Sequence, residues 1–288
     1  MSIKNIRGPF SKKFIFNKNR SEDLQITHYK EKMDSKKLAI VTGGASGLGL
    51  ATCQKFVESG YRVAIFDLNE TEGNKQVQAL GPNNAAFWKV NVTDEAVVKS
   101  AVESVVSKYG NIDVLVNSAG IVKAALTVNR KGEVASSEIL KQVLTINVIG
   151  TFNVMKYVAL AMTKQEPKGE YKQRGCIINV GSAAGFEGQN GQVYYSASKG
   201  AIHAMTMPVA RDLGRYGIRV VAIAPGIINT PMGQGMSKRV QENLTASTAL
   251  GRLGEADEFA DCVYGIVNSS YMTGNVVRLD GGSRLPKL

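Results

Sequence analysis

Tyr195 and Lys199 stand four residues apart, a phenol and an ammonium separated by just over one turn if this segment is helical. On a helix the two side chains would share a face. A fixed cation favours phenolate over phenol, so a tyrosine placed this way can act as an acid or base nearer neutral pH. The same pair also occurs on solvated helix faces where it does no chemistry, so the rest of the chain must decide. Just upstream, Cys176-Ile177-Ile178-Asn179-Val180 is an apolar run too short for a helix and suited to a buried strand. Ser182 follows that strand directly. A Gly/Gln loop holding Gln189 and Gln192 then leads to Tyr195 and forms a candidate wall for a substrate pocket.

A second group of residues suits a dinucleotide. Leu38-Ala39-Ile40-Val41 is a short buried strand that ends in Thr42-Gly43-Gly44-Ala45-Ser46-Gly47-Leu48-Gly49. A helix over Leu50–Ser59 follows, with Gly60 as its C-terminal stop. Gly43, Gly47 and Gly49 are spaced G-x-x-x-G-x-G rather than G-x-G-x-x-G. The physics is shared: glycines allow a tight turn and close approach of a pyrophosphate to a helix N-terminus. The next strand, Arg62–Phe66, ends in Asp67, an acidic residue 18 positions after Gly49. Strand, glycine turn, helix, strand and acid in that order carry much more weight than a glycine turn alone. Asp67 would accept hydrogen bonds from adenosine ribose hydroxyls and repel a 2′-phosphate, favouring NAD over NADP. A carboxylate that merely caps a loop is the plainer reading, and the position argues against it.

These residues need a frame, and the pattern supplies alternating strands and helices. A helix over Glu70–Leu80 precedes a strand near Ala85–Val90. Asn91 and Val92 then fall at a strand's carboxyl end, where an open parallel sheet places its ligand. Thr93 or Asp94 can cap a helix over Glu95–Tyr109. Val114–Val116 is a further strand, followed by the small residues Asn117, Ser118, Ala119 and Gly120. Lys123–Ser137 is polar and reads as a rim. Glu138–Met162 reads as one long helix, with Asn147 as a buried amide in need of a partner. The polar insert Lys164–Arg174 leads back to the Cys176 strand. The helix through Tyr195 continues to Leu213, with Pro208 predicting a kink. A strand over Arg219–Ala224 runs into Pro225–Pro231, which includes Ile228 and Thr230. Residues 232–252 are predicted to form a mobile lid, and a last helix (Ala256–Val267) and strand (Val276–Leu279) follow. The expected fold class is α/β: one doubly wound parallel sheet of about seven strands with helices on both faces. Residues 38–288 form that domain, and residues 1–37 form a basic extension.

Composition is consistent with such a domain. Apolar residues make up 44% and charged residues 20% of the chain, ordinary values for a large core. Three scattered cysteines and two histidines offer neither a disulfide framework nor a metal site, so no metal is expected. No apolar run looks long enough for a membrane span. The net charge of +11 is concentrated at the start, where residues 1–20 hold six basic residues and no acid. That composition resembles a mitochondrial targeting segment; a basic tail on a cytoplasmic protein is the alternative. The basic body lacks interleaved aromatics, which weighs against a nucleic-acid surface.

Taken together, Thr42-Gly43-x-x-x-Gly47-x-Gly49, Asn117-x-Ala119-Gly120, Asn147, Ser182, Tyr195-x-x-x-Lys199 and Pro225-Gly226 resemble the ordered motifs of the short-chain dehydrogenase/reductase family over residues 38–283. The runs 43–52, 150–154, 183–192, 195–200 and 278–282 resemble members that act on 3-hydroxyacyl-CoA. The resemblance implies NAD-dependent oxidation of a secondary alcohol in fatty-acid or branched-chain amino-acid breakdown, by a homotetramer. It implies Tyr195 as the acid/base, Lys199 as the residue that lowers its pKa and holds the nicotinamide ribose, Ser182 on the reacting oxygen, and Asn147 on a relay water. It further implies Ser46 and Leu48 at the phosphate turn, Asn91 and Val92 at adenine, Ser118 at the cofactor's centre, and Ile228 and Thr230 at the carboxamide. Asn91 stands where the family usually has Asp, with its amide oxygen expected to accept from adenine. A steroid or other alcohol, a 3-oxoacyl carrier-protein thioester, or an RNA-processing scaffold role are the alternatives.

Overall fold

The computed structural model describes residues 36–230, 242, 243 and 245–284. All elements below belong to the second of two units, Met1–Lys36 and Lys37–Leu288, into which the chain divides. Residues 1–35 of the basic extension and residues 232–241 and 244 of the expected lid lie outside the described residues.

The strands are β1 (Leu38–Thr42), β2 (Arg62–Asp67), β3 (Ala85–Lys89), β4 (Val114–Asn117), β5 (Gly175–Val180), β6 (Ile218–Pro225) and β7 (Val276–Leu279). They form one seven-stranded sheet in the order β3-β2-β1-β4-β5-β6-β7. Every pairing is parallel. Strands buried on both faces read as continuous apolar runs, and β1, β4 and β6 are buried along their whole length. Period two divides their side chains between two cores. Leu38 and Ile40 face one, with Val154, Met155, Val158 and Met162. Ala39 and Val41 face the other, with Cys53, Phe56, Phe259 and Val263.

The main helices are α1 (Gly47–Glu58), α2 (Glu70–Leu80), α3 (Glu95–Tyr109), α4 (Ser137–Leu144), α5 (Thr151–Thr163), α6 (Val193–Gly214) and α7 (Ala256–Asn268). Asn69 caps α2 by accepting from Glu72 N at 3.1 Å, and Asp94 caps α3 by accepting from Val97 N at 3.1 Å. α7 starts in a capping box between Glu255 and Glu258. Glu258 is also held by the Arg252 guanidinium, which keeps its carboxyl down at about 2.

Four expectations need correction. α1 begins at Gly47 rather than Leu50, so Gly47 and Gly49 are its first turn. The long helix over Glu138–Met162 is instead α4 and α5 joined by a π-helical turn over Thr145–Gly150, with Asn147 inside it. Wide turns of this kind mark functional sites more often than ordinary helix does. α6 runs unbroken past Pro208. The segment Ser137–Thr163 is, by length and composition, apolar enough to cross a membrane, with a mean hydropathy of 1.4. Half of that stretch is buried, and Val143, Val154, Met155 and Val158 are fully covered by the rest of the domain, as in a core helix.

The glycine turn tolerates no side chain at Gly49, where a Cβ would lie 2.1 Å from the Gly43 carbonyl oxygen. Backbone cannot yield as a flexible side chain can. Gly49→Ala should therefore cost roughly 3 kcal/mol in urea unfolding. Gly214→Ala meets nothing within 4 Å at the exposed end of α6 and should gain roughly 0.5 kcal/mol.

Candidate active site

Strand order reverses between β1 and β4, and there the carboxyl ends of the strands open a cleft. The buried Thr42 hydroxyl closes its floor, accepting from Ser118 N at 3.1 Å and Ala119 N at 3.0 Å. Gly43 has φ +65°, and a Cβ there would press on the Ala119 backbone at 3.0 Å. Asn117 and Asn179, at the ends of β4 and β5, are joined by a 2.9 Å side-chain bond.

On one side of the cleft is the N-terminus of α1. Ser46 makes no side-chain cap, and the first turn of Gly47, Leu48 and Gly49 contains no acid. Its N–H groups have no intrahelical partner and suit an anion. Among the described residues, a Cβ at Gly47 would have Thr230 near it, at 3.9 Å, so Thr230 from beyond β6 stands over this turn. Asp67, at the end of β2, accepts from Ala45 N at 3.1 Å and Asn69 N at 3.0 Å. A dinucleotide fits these residues: an uncapped helix N-terminus for the pyrophosphate and a carboxylate at the next strand end for a ribose.

Other expected contacts are less open. Asn91 Oδ1 already accepts from Thr93 N at 3.1 Å and from the Thr93 hydroxyl at 2.8 Å. The acceptor expected to face adenine is thus committed to a local turn, as asparagine side chains often are. Val92 turns its side chain inward, where a Cβ on Gly150 would come within 2.5 Å of it. Ile228 pairs with Gly254 in a single bridge and lines a small apolar cavity of about 70 Å³ with Leu250, Leu279 and others.

On the other side, Ser182, Tyr195 and Lys199 come together. Ser182 caps a short 3₁₀ turn over Ala183–Gly185, accepting from Ala184 N at 3.1 Å, and its hydroxyl stands within reach of the Tyr195 phenol. The capping role and the chemical role thus coincide in one hydroxyl. Lys199 is 6% exposed and donates to Val180 O at 2.7 Å. Its ammonium lies 5.5 Å from the centre of the Tyr195 ring. Burial brings the Lys199 ammonium down to about 8. Burial also holds the Tyr195 phenol above its ordinary value, with the Ser182 hydrogen bond opposing. The expected lowering of that phenol by Lys199 is therefore not found. The ammonium is directed to a carbonyl, and desolvation dominates.

Asn147 is 1% exposed and both ends of its side-chain amide are hydrogen-bonded. Its Nδ2 donates to Ile121 O at 2.9 Å and Ser198 Oγ at 3.0 Å, and its Oδ1 accepts from Ile121 N at 2.8 Å. The π-helical turn thereby ties the segment after β4 to α6. Gln189 and Gln192 brace one another, Gln189 N donating to Gln192 Oε1 at 2.9 Å. Gln189 lines a cavity of about 340 Å³ with Leu126, Thr127 and Ser196; Gln192 stands behind it. Tyr194, in contrast to Tyr195, is buried in the body of the domain.

Sequence reasoning missed His203, one turn beyond Lys199. Its Nε2 accepts weakly from Ser182 N at 3.5 Å, and its ring stacks on Phe186 at 4.3 Å. Burial, then Lys199 and Arg278, bring it down to about 4, so it is neutral. The one available signal was its spacing from Lys199, which alone says nothing about Ser182. Thr42 was legible only as the residue before Gly43.

Residues 37–241 match the family model for short chain dehydrogenase. A Homo sapiens protein named 3-hydroxyacyl-CoA dehydrogenase type-2 is 44% identical over 86% of this chain and 95% of its own length. A Thermotoga maritima 3-oxoacyl-acyl-carrier-protein reductase FabG is 38% identical over 85% of this chain and 97% of its own. The crystal structure of 3-hydroxyacyl-CoA dehydrogenase type-2 from Mycobacterium avium superposes with a TM-score of 0.83 at 34% identity, covering 89% of this chain and 99% of that one. The arrangement built up from Gly43 to Lys199 therefore has a lineage: this chain belongs to the short-chain dehydrogenase family and is an oxidoreductase.

Proposed function

We propose that the chain uses NAD to interconvert a secondary alcohol and a ketone, the alcohol being the 3-hydroxyl of an acyl-CoA. The observation that carries this reading is the joining of Ser182, Tyr195 and the buried Lys199 at the strands' carboxyl ends. When bound, nicotinamide supplies the hydride acceptor. The chain's own residues orient the alcohol and take its proton. Tyr195 receives that proton and Ser182 holds the reacting oxygen. Lys199 has two N–H bonds left after Val180 O; they would hold the nicotinamide ribose. The relay assigned to Asn147 needs an acceptor. Its side-chain oxygen accepts one bond, from Ile121 N, and keeps a second lone pair for that purpose.

Gly43, Ser46, Gly47, Leu48 and Gly49 would cradle the pyrophosphate, with Ser118, Ile228 and Thr230 toward the nicotinamide and Asn91 and Val92 toward adenine through their backbones. Asp67 supports NAD over NADP, since a carboxylate there repels a 2′-phosphate. The named relatives support the acyl-CoA, and Gln189 and Gln192 would shape the acyl pocket. With these go a homotetramer, a place in fatty-acid or branched-chain amino-acid breakdown, and mitochondrial targeting by residues 1–37. A second reading, reduction of a carrier-protein thioester, is supported by the Thermotoga maritima relative.

Steady-state assays should show turnover of acetoacetyl-CoA with NADH well above that of acetoacetyl-carrier protein with NADPH; the reverse ranking would select the second reading. Tyr195→Phe should lower kcat by roughly 10³-fold with NAD affinity nearly intact. Asp67→Ala should narrow the preference for NADH over NADPH by roughly tenfold or more, read as the ratio of kcat/KM values. The Lys199 ammonium titrates at about 8 in the folded chain against 10.5 ordinarily. Between those values the unfolded chain binds the extra proton, so stability at this position rises with pH. Relative to Lys199→Met, the wild type should gain up to roughly 3 kcal/mol across that window; a flat difference would contradict a buried ammonium.

A further inference from the structure

Arg278 lies at the end of β7, outside the residues assigned above, yet it reaches both walls of the cleft. Its Nη2 pairs with Glu187 in the segment between Ser182 and Gln189. Its Nε donates to Asp280 Oδ2 at 2.6 Å, and Nη2 also donates to Ser283 O at 3.1 Å. The guanidinium sits over the Phe186 ring at 5.1 Å, and Phe186 stacks on His203 at 4.3 Å. His203 in turn fills the space beside Gly181 and Gly185, where a Cβ at either would come within 2.5 Å of its ring. A continuous stack thus runs from β7 to the two glycines that flank Ser182.

Asp280 extends the stack to the opposite wall. A Cβ on Gly226, just before the Ile227–Thr230 segment, would lie 2.8 Å from Asp280 Cβ. Arg278 therefore ties together the turn that would face substrate and the turn that would face cofactor. Within the Gln189–Gln192 turn, Gln189 N donates to Gln192 Oε1 at 2.9 Å, and Ala125 N donates to Gly191 O at 2.8 Å. A planar guanidinium that is hydrogen-bonded and stacked fixes orientation as well as distance.

We propose that the Arg278–Glu187 pair is a positioning device for the dehydrogenase site, fixing residues 183–192 so that Gln189 and Ser182 meet substrate in a set geometry. The proposal rests on the reading of these residues as the substrate wall. Neither residue touches the reacting atoms, so the pair acts through the turn.

Glu187→Gln is the test variant, because Arg278 keeps Asp280 as a partner and no buried charge is stranded. The expected result is a rise of roughly fivefold or more in KM for acetoacetyl-CoA, with the dissociation constant for NADH unchanged by calorimetry. Arg278→Met should raise KM similarly, and the double variant should be no worse than the worse single, since one interaction is lost once. Hydrogen exchange in Glu187→Gln should speed up across 183–192 and stay unchanged in β5. An unchanged KM in a folded Glu187→Gln, additive effects in the cycle, or unchanged exchange across 183–192 would each overturn the proposal. If wild-type protein turns over no acyl-CoA, the functional reading fails, and the exchange measurement then decides the positioning role alone.

Discussion

The hydroxyl of Thr42 stands where two neighbouring parallel strands send their chains in opposite directions. β1 leads into a helix on one face and β4 into a segment on the other, so the backbone beyond them would separate and leave unpaired N–H groups. One buried oxygen accepting from Ser118 and Ala119 holds the split edge together. Because Gly43 packs on Ala119 with no room to spare, the glycine turn and the segment after β4 occupy one fixed relation. The helix N-terminus, the carboxylate of Asp67 and the Asn147 anchor of Ile121 all take their positions from that junction.

Electrostatics on the far wall come from dryness more than from ion pairing. Three titratable side chains on successive turns of α6, Tyr195, Lys199 and His203, are each displaced toward their neutral forms, with burial the leading cause. The phenol is held above its ordinary value while the amine comes down to about 8, so dryness separates their proton affinities and leaves the phenol protonated in the chain alone. His203 adds to this by remaining uncharged: a second cation beside Lys199 would lower the amine further and draw water into the stack.

Much of this was legible in the sequence because it depends on local physics. Buried parallel strands read as apolar runs, Thr93 or Asp94 reads as a helix start, and the Asp67 carboxylate sits at a strand end fixed by the length of α1. Tyr195 and Lys199 stood out by type and spacing, and Ser182 took its role from the family resemblance. What escaped was set by contacts distant in sequence. Arg278 and Glu187 are 91 residues apart, and nothing in either neighbourhood signals the other. The engagement of Asn91 by Thr93 was a local turn concealed by the expectation of a ligand. The π-helical turn was invisible because a long, largely apolar stretch hides the shift of phase that one extra residue introduces.

That turn carries an evolutionary consequence. A π-helical turn amounts to one residue inserted into an α-helix, and each residue advances the helix by about 100°. Deleting any one residue from Thr145–Gly150 would restore a regular helix and improve its hydrogen bonding. It would also swing α4 by that angle relative to α5, exposing Val143 and withdrawing the Asn147 amide from Ile121. Single-residue deletions there should be absent from any lineage that keeps the enzyme's activity, even where each shortened helix would by itself be the more stable one.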